Sequence, residues 1–219
     1  MLIKSFPAGP WATNCYLVAN ETNSECVIID PGFESLPEIE SVCTQFNLHP
    51  VATLLTHGHM DHVWSVIPLC NNHQISAYIH GLDEWMLSTP EKAYSKSSWQ
   101  DLIKLNAGVP EFLPKDLNLL KNKMKLDLAG LEITCYHAPG HTEGSTVFTS
   151  QNNLFSGDVL FNRGIGRTDL PGGNPKAMLE SLKNVILKFP DEMSVFPGHG
   201  PSTTIGDERF KNPYLQDLT

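Results

Sequence analysis

The chain has no Cys-x-x-Cys pair, which excludes a thiolate zinc finger and a thioredoxin-type redox motif. Its five cysteines, Cys15, Cys26, Cys43, Cys70 and Cys135, are scattered and odd in number. Most sit among apolar neighbours, the setting expected of buried free thiols in a reducing cytosol. No apolar run reaches the ~18–20 residues of a membrane span, so no membrane partner is expected. The segment from Met1 to Pro7 lacks the long apolar core of a secretory signal, and the expected location is cytoplasmic. Basic residues are also scarce. Fifteen Lys and Arg against 24 Asp and Glu leave a net charge of −9. A duplex-binding surface needs clustered cations to displace counterions, so no nucleic-acid partner is expected. No repeat, low-complexity tract or linker divides the sequence, and 219 residues suit one domain spanning 1–219.

The elements follow from periodicity. Cys15-Tyr16-Leu17-Val18 and Cys26-Val27-Ile28-Ile29 are short apolar runs that suit buried strands, joined by a polar loop at residues 20–24. Asp30-Pro31-Gly32 ends the second run. Pro37 then opens a helix whose positions Ile39, Val42, Cys43 and Phe46 share one face. Residues 51–55 form an almost wholly apolar strand, as in a sheet covered on both sides. Ser65 is expected to cap a helix that buries Val66, Leu69 and Cys70, with Pro68 tolerable only near its first turn. Further strands are expected at residues 75–79, 131–136, 146–149, 154–155 and 195–196, and short helices at 82–87 and 99–105. Asn174-Pro175 reads as a cap and first turn, followed by Met178, Leu182, Val185, Ile186 and Phe189 on a buried face.

Chemistry concentrates where strands end. Thr56-His57-Gly58-His59-Met60-Asp61-His62 places three of the nine histidines and one carboxylate within six positions, directly after the apolar strand. Imidazole with carboxylate suits zinc, iron or manganese. Three more groups follow strands and are flanked by glycine: His141 in Pro139-Gly140-His141-Thr142, Asp158 in Gly157-Asp158, and His199 in Gly198-His199-Gly200. The candidate ligands are therefore His57, His59, Asp61, His62, His141, Asp158 and His199. A catalytic zinc usually takes three protein ligands and a water, so this set is too large for one ion and suits two that share a carboxylate. His73 and His80 read as surface or capping residues.

The order His-x-His-x-Asp-His, Pro-Gly-His-Thr, Gly-Asp, Gly-His-Gly resembles the metallo-β-lactamase superfamily, and within it the compact glyoxalase II-like hydrolases. The likeness extends through residues 161–170 and through the tail from Pro201 to Leu215. It implies an α/β fold, a four-layer αββα sandwich with the site at one edge of two sheets. It further implies that His57, His59 and His141 hold a first metal, that Asp61, His62 and His199 hold a second, and that Asp158 bridges them. Asp30 would support the metal loop from behind. The implied cofactors are two divalent ions, zinc foremost, with iron or manganese as alternatives. The implied partner is a small-molecule thioester, S-D-lactoylglutathione or a related acyl-glutathione, cleaved by a metal-activated hydroxide that Asp61 helps orient. A thiolate is weakly basic and leaves with little help from a general acid.

Two departures stand out. The glyoxalase II enzymes that the chain resembles carry a further helical region that grips glutathione, whereas only 20 residues follow His199. Arg163 and Arg167 are the candidates to hold an anionic substrate instead. Glu143 stands where many relatives have proline, which alters loop stiffness rather than the ligands. The main alternative is a persulfide dioxygenase of the same fold, which resembles the chain around Arg167-Thr168-Asp169 but uses one iron on the equivalents of His57, His141 and Asp158. The full second set of ligands favours the two-metal hydrolase. A lactonase and a nuclease are further alternatives, the nuclease disfavoured by the acidic charge.

Overall fold

The chain opens as an antiparallel meander of β1 (Leu2–Ala8), β2 (Thr13–Ala19) and β3 (Glu25–Ile29). The coordinates are those of a computed structural model, which describes residues 1–105 and 109–218. After β3 the chain alternates helix and strand: α1 (Leu36–Phe46), β4 (His49–Leu54), α2 (Met60–Val63), α3 (Val66–His73) and β5 (Ser76–His80). Next come α4 (Glu84–Ser88), α5 (Lys96–Leu105) and β6 (Leu117–Leu120). Helical crossovers make β3, β4, β5 and β6 parallel neighbours, so the first sheet runs β1-β2-β3-β4-β5-β6. The second half supplies β7 (Lys125–Leu128), β8 (Leu131–His137), β9 (Thr146–Ser150), β10 (Asn153–Gly157), α6 (Pro175–Asn184), β11 (Ser194–Pro197), β12 (Thr203–Thr204) and α7 (Ile205–Lys211). Its sheet runs β12-β11-β10-β9-β8-β7.

Side-chain alternation turns these two sheets into four layers. Along β2, Tyr16 and Val18 face the second sheet, where they meet Cys135, Phe148 and Phe155. Their neighbours Cys15, Leu17 and Ala19 face the other way, onto Ile39 and Cys43 of α1. In the second sheet Val147, Leu154 and Val195 point outward and are covered by Met178 and Leu182 of α6 and Ile205 of α7. The order is thus helix, sheet, sheet, helix, as the motif order implied. Both faces of each sheet are buried over much of their area, which is why the strand sequences read as apolar runs.

Local chemistry sets the boundaries. α1 carries proline in its first turn and ends where Asn47 takes φ +50° and its N–H returns to the Cys43 and Thr44 carbonyls. Ser65 precedes α3 but does not cap it. Its hydroxyl donates to the Gly32 carbonyl at 2.9 Å and accepts the Ser35 N–H at 3.0 Å, tying α3 to the loop after β3. The strand expected at 51–55 is β4, which begins two residues earlier and ends at Leu54. α6 stops at Asn184. The face expected to continue through Phe189 is broken by a 3-10 turn at Ile186–Lys188, leaving Val185 and Phe189 half-buried against the core. All five cysteines are buried and free. Among the described residues, no helix is long and apolar enough to cross a membrane.

Candidate metal centre

Four strand ends from both sheets meet at one edge of the sandwich. β4 leads into Thr56-His57-Gly58-His59 and then α2, a single turn that carries Asp61 and His62. The β8–β9 loop brings His141, the end of β10 brings Asp158, and the end of β11 brings His199. Two glycines make this convergence possible. A Cβ on Gly198 would lie 2.2 Å from Asp158 Oδ1, so only hydrogen fits there. Gly157 takes φ +49° with Thr56 pressed against it.

The seven sequence candidates are all brought together. His59 Nδ1 and His57 Nε2 lie 2.8 Å and 3.2 Å from His141 Nε2. On the other side, His62 Nε2 lies 3.3 Å from His199 Nε2, and Asp61 Oδ2 lies 3.5 Å from the first and 3.3 Å from the second. Asp158 spans the two groups. Its Oδ1 is 3.4 Å from His62 Nε2, and its Oδ2 is 3.5 Å from His141 Nε2 and 3.6 Å from His199 Nε2. Within each of the groups His57/His59/His141, His57/His62/Asp158 and Asp61/His62/His199, the ligand atoms lie within 4.8 Å of one another.

These separations fit divalent ions. Donor atoms about 2.0–2.1 Å from a tetrahedral ion stand roughly 3.3 Å apart, whereas a cluster of facing imidazole nitrogens has too few protons to bond itself together. Asp158 Oδ1 is buried and has no hydrogen-bond partner among the described residues, a costly state for a carboxylate oxygen unless a cation occupies the space before it.

At His57, His59 and the two carboxylates the electrostatics point the same way. Burial, then the neighbouring imidazoles, hold His57 well below the ordinary histidine range. His59 is pushed down to about 3 by burial and then by His141. Both are therefore neutral near pH 7, as ligation requires. Burial alone would raise Asp61 and Asp158, but His62 and the other imidazoles outweigh it and hold both below the usual carboxylate range. Burial works against protonation of His62, yet Asp61, Asp158 and Asp30 together raise it.

A ring of supporting groups fixes each ligand. Asp30, at φ +51°, accepts the Thr56 N–H at 2.8 Å on Oδ1 and the Thr56 hydroxyl at 2.7 Å on Oδ2. The same Oδ2 lies 2.9 Å from His62 Nδ1, so Asp30 braces the loop that carries the candidate ligands. His141 Nδ1 donates to the Arg167 carbonyl at 2.7 Å, and His199 Nδ1 to the Trp11 carbonyl at 3.1 Å. Thr13 donates its hydroxyl to Asp61 Oδ2 at 2.8 Å.

Asp83, in the turn before α4, was not legible in the sequence. It is fully buried and accepts from Thr142 Oγ1 at 2.6 Å, Gly144 N–H at 2.6 Å and Gly58 N–H at 3.3 Å. It thereby locks the His57–His59 turn to the His141 loop. Burial raises it, against these three donors. A lone aspartate between Leu82 and Glu84 reads as an ordinary turn residue, and only the fold shows its partners.

The two arginines have other attachments. Arg163 donates through its guanidinium to the buried Glu208 Oε1 at 3.0 Å and to the Asp207 carbonyl. Arg167 forms a two-pronged pair with Asp169 at 2.7 Å and 2.8 Å and is 60% exposed, its backbone holding His141 while its charge faces solvent. His73 pairs with Glu40 at 2.9 Å, and His80 stacks on His137 with ring centres 4.1 Å apart. Neither belongs to the metal groups among the described residues.

The family model described as the metallo-beta-lactamase superfamily matches residues 8–199. An uncharacterized protein of Mycobacterium tuberculosis is 40% identical over 227 residues, covering 100% of both chains. Hydroxyacylglutathione hydrolase GloC of Haemophilus influenzae is 32% identical over 219 residues, covering 98% of each. Among solved structures, BLEG-1 B3 metallo-beta-lactamase superposes with a TM-score of 0.81 at 35% identity, covering 98% of this chain and 99% of that one. TTHA1623 in a di-iron-bound form gives 0.79 at 36% identity, covering 98% and 100%. ETHE1 from Myxococcus xanthus gives 0.77 at 24% identity over 97% and 84%, a likeness of fold.

Proposed function

Because the chain belongs to the metallo-β-lactamase superfamily, we propose that it is a two-metal hydrolase of thioesters, with S-D-lactoylglutathione or a related acyl-glutathione as substrate. The observation that carries this reading is the second, complete group Asp61/His62/His199 beside the first, with Asp158 between them. His57, His59 and His141 would hold one ion and Asp61, His62 and His199 the other, with zinc first among the candidates and iron or manganese as alternatives. The ions supply Lewis-acid polarisation and lower the pKa of bound water.

The protein's own groups favour a thioester. Both carboxylates at the centre, Asp61 and Asp158, are held ionised and have no proton to give a leaving group. A thiolate leaves unprotonated near neutral pH, whereas an alkoxide or amine needs an acid. Thr13, His62 and His199 all face Asp61 Oδ2, which leaves Oδ1 to accept a hydrogen from the attacking water and orient it. Arg167 is the better anchor for a substrate carboxylate. Its guanidinium is exposed and, among the described residues, pairs with an exposed Asp169, whereas Arg163 is committed to the buried Glu208. GloC, named for this activity, matches over 98% of each chain at 32% identity.

Purified protein loaded with zinc, iron or manganese should release thiol from S-D-lactoylglutathione, and a chelator should abolish the release. No metal-dependent release with any of the three would refute the reading. Oxygen consumption with glutathione persulfide at one iron per chain would establish the dioxygenase instead.

A further inference from the structure

We propose that Glu208 is a positioning residue for the metal centre, bracing the turn 161–164 from α7 so that Phe161 holds the His199 ring in its ligating orientation. The proposal rests on the metal-binding part of the reading above and not on its substrate. Glu208 is 0% exposed, and both of its carboxyl oxygens are engaged. Oε2 accepts the Arg163 backbone N–H at 2.8 Å and the Asn212 side-chain N–H at 2.9 Å. Oε1 accepts from the Arg163 guanidinium at 3.0 Å and from the Thr203 hydroxyl at 2.7 Å. The same Asn212 amide donates to the Gly164 carbonyl at 3.0 Å, so α7 and the residue after it grip the turn at two backbone atoms.

The turn has reason to need that grip. Phe161 and Gly164 exchange backbone hydrogen bonds at 2.9 Å and 3.3 Å, and Arg163 between them takes φ +63°. A non-glycine residue stays in that region only when its surroundings hold it. Packing alone does not call for an acid here. A buried carboxylate is costly to desolvate, and an apolar residue of similar volume is often at least as stabilising. What the acid adds is a fixed position for the Arg163 N–H.

The braced turn in its place limits one candidate ligand. Phe161 stands edge-on to His199, with ring centres 6.0 Å apart and planes at 85°. The His199 side chain is 28% exposed, against 0% for His62 and 4% for His141, so burial restrains it least of these three imidazoles. Its Nδ1 bond to the Trp11 carbonyl fixes one atom of the ring. A single hydrogen bond leaves the ring plane free to swing, and the Phe161 ring stands in the way of that swing. Beyond the turn the chain is pinned separately. A Cβ on Gly166 would lie 1.9 Å from the Asp158 carbonyl oxygen, and the Arg167 carbonyl holds His141. Glu208 therefore acts on His199, while His141 keeps its own support.

Stepwise zinc affinities would be measured by competition with a chromogenic chelator, with urea unfolding of the same proteins in parallel. Glu208→Gln keeps the side-chain shape but loses one acceptor oxygen. It should weaken one of the two affinities roughly tenfold, the lower end of what removing an outer support of a ligand costs, and leave the other unchanged. Glu208→Ala should weaken the same ion at least as much. Ile205→Ala removes a buried apolar side chain from the same helix, so it should lose stability and keep both affinities. Phe161→Leu alone should reproduce the Glu208→Gln loss, and combining the two should add less than about twofold. Wild-type affinities in Glu208→Gln would overturn the proposal. So would an equal loss in Ile205→Ala, or full additivity with Phe161→Leu. Glu208→Gln carries the test where Glu208→Ala folds poorly. Zinc uptake with no thiol release in any of these proteins would remove the thioester reading and leave this proposal standing.

Discussion

Asp30 shows how much one side chain outside the metal groups controls. Its two oxygens bond Thr56 twice and His62 once, so one residue fixes both the metal loop and a ligand's orientation. It does so from the left-handed backbone region, at φ +51°, where a non-glycine residue persists only if its surroundings hold it. Removing such a support typically costs metal affinity about 10–100-fold. Asp30→Ala should therefore weaken binding at the Asp61/His62/His199 group by that factor, read by competition with a chromogenic chelator. Unchanged affinity would mean that His62 is held by other contacts. Asp83 acts on stability as well as position. Asp83→Ala leaves Gly58 N–H, Gly144 N–H and Thr142 without their acceptor. Unpaired buried donors cost about 1–3 kcal/mol each, less where water enters, so a loss of roughly 2–4 kcal/mol is expected in urea unfolding.

At the scale of elements, the site depends on how the two sheets are joined. α2 is one turn long and has no independent stability. It is held because Gly32 lies against the Asp61 carbonyl, where a Cβ would approach to 2.5 Å, and because Tyr94 accepts the Met60 N–H at 3.1 Å. A second junction lies where β5 and β8 end. There His80 stacks on His137 in near-parallel planes, while His137 Nε2 donates to the Glu143 carbonyl at 2.8 Å. His80 accepts the Leu82 N–H on Nδ1, which requires a neutral ring. Burial, then His137, pushes it from 6.5 to about 4. Between those values the unfolded chain binds a proton that the folded chain refuses, so this contribution to stability falls as pH drops through the window. His80 is half-buried, and solvent screening reduces the effect. From pH 7 to pH 5, wild type should lose about 1 kcal/mol more stability than His80→Gln in parallel urea titrations. Parallel losses in the two proteins would show that His80 titrates normally.

Across the whole molecule, the sequence reveals candidate ligands better than the groups that support them. The convergence of His57, His59, Asp61, His62, His141, Asp158 and His199 was readable because these candidate ligands stand at strand ends, most of them beside glycines that permit close approach. The strands β2, β3 and β4 were readable because burial on both faces leaves near-continuous apolar runs. The short strands β6, β7 and β12 carry too few residues for periodicity to register, and they become strands only by pairing. Asp83, Thr13 and the Trp11 and Arg167 carbonyls act through partners far away in sequence or through backbone atoms, so no residue-type pattern marks them. Ser65 carries the signal of a helix cap, but long-range bonds to Gly32 and Ser35 outcompete that local role.

The metal content at saturation bears most directly on the centre. Protein loaded separately with zinc, iron and manganese, dialysed and analysed by plasma mass spectrometry, should hold two ions per chain with at least one of them. Asp61→Ala should fall to one ion, and Asp158→Ala should weaken both sites. A single ion per chain in the saturated wild type, unchanged by Asp61→Ala, would contradict the paired centre.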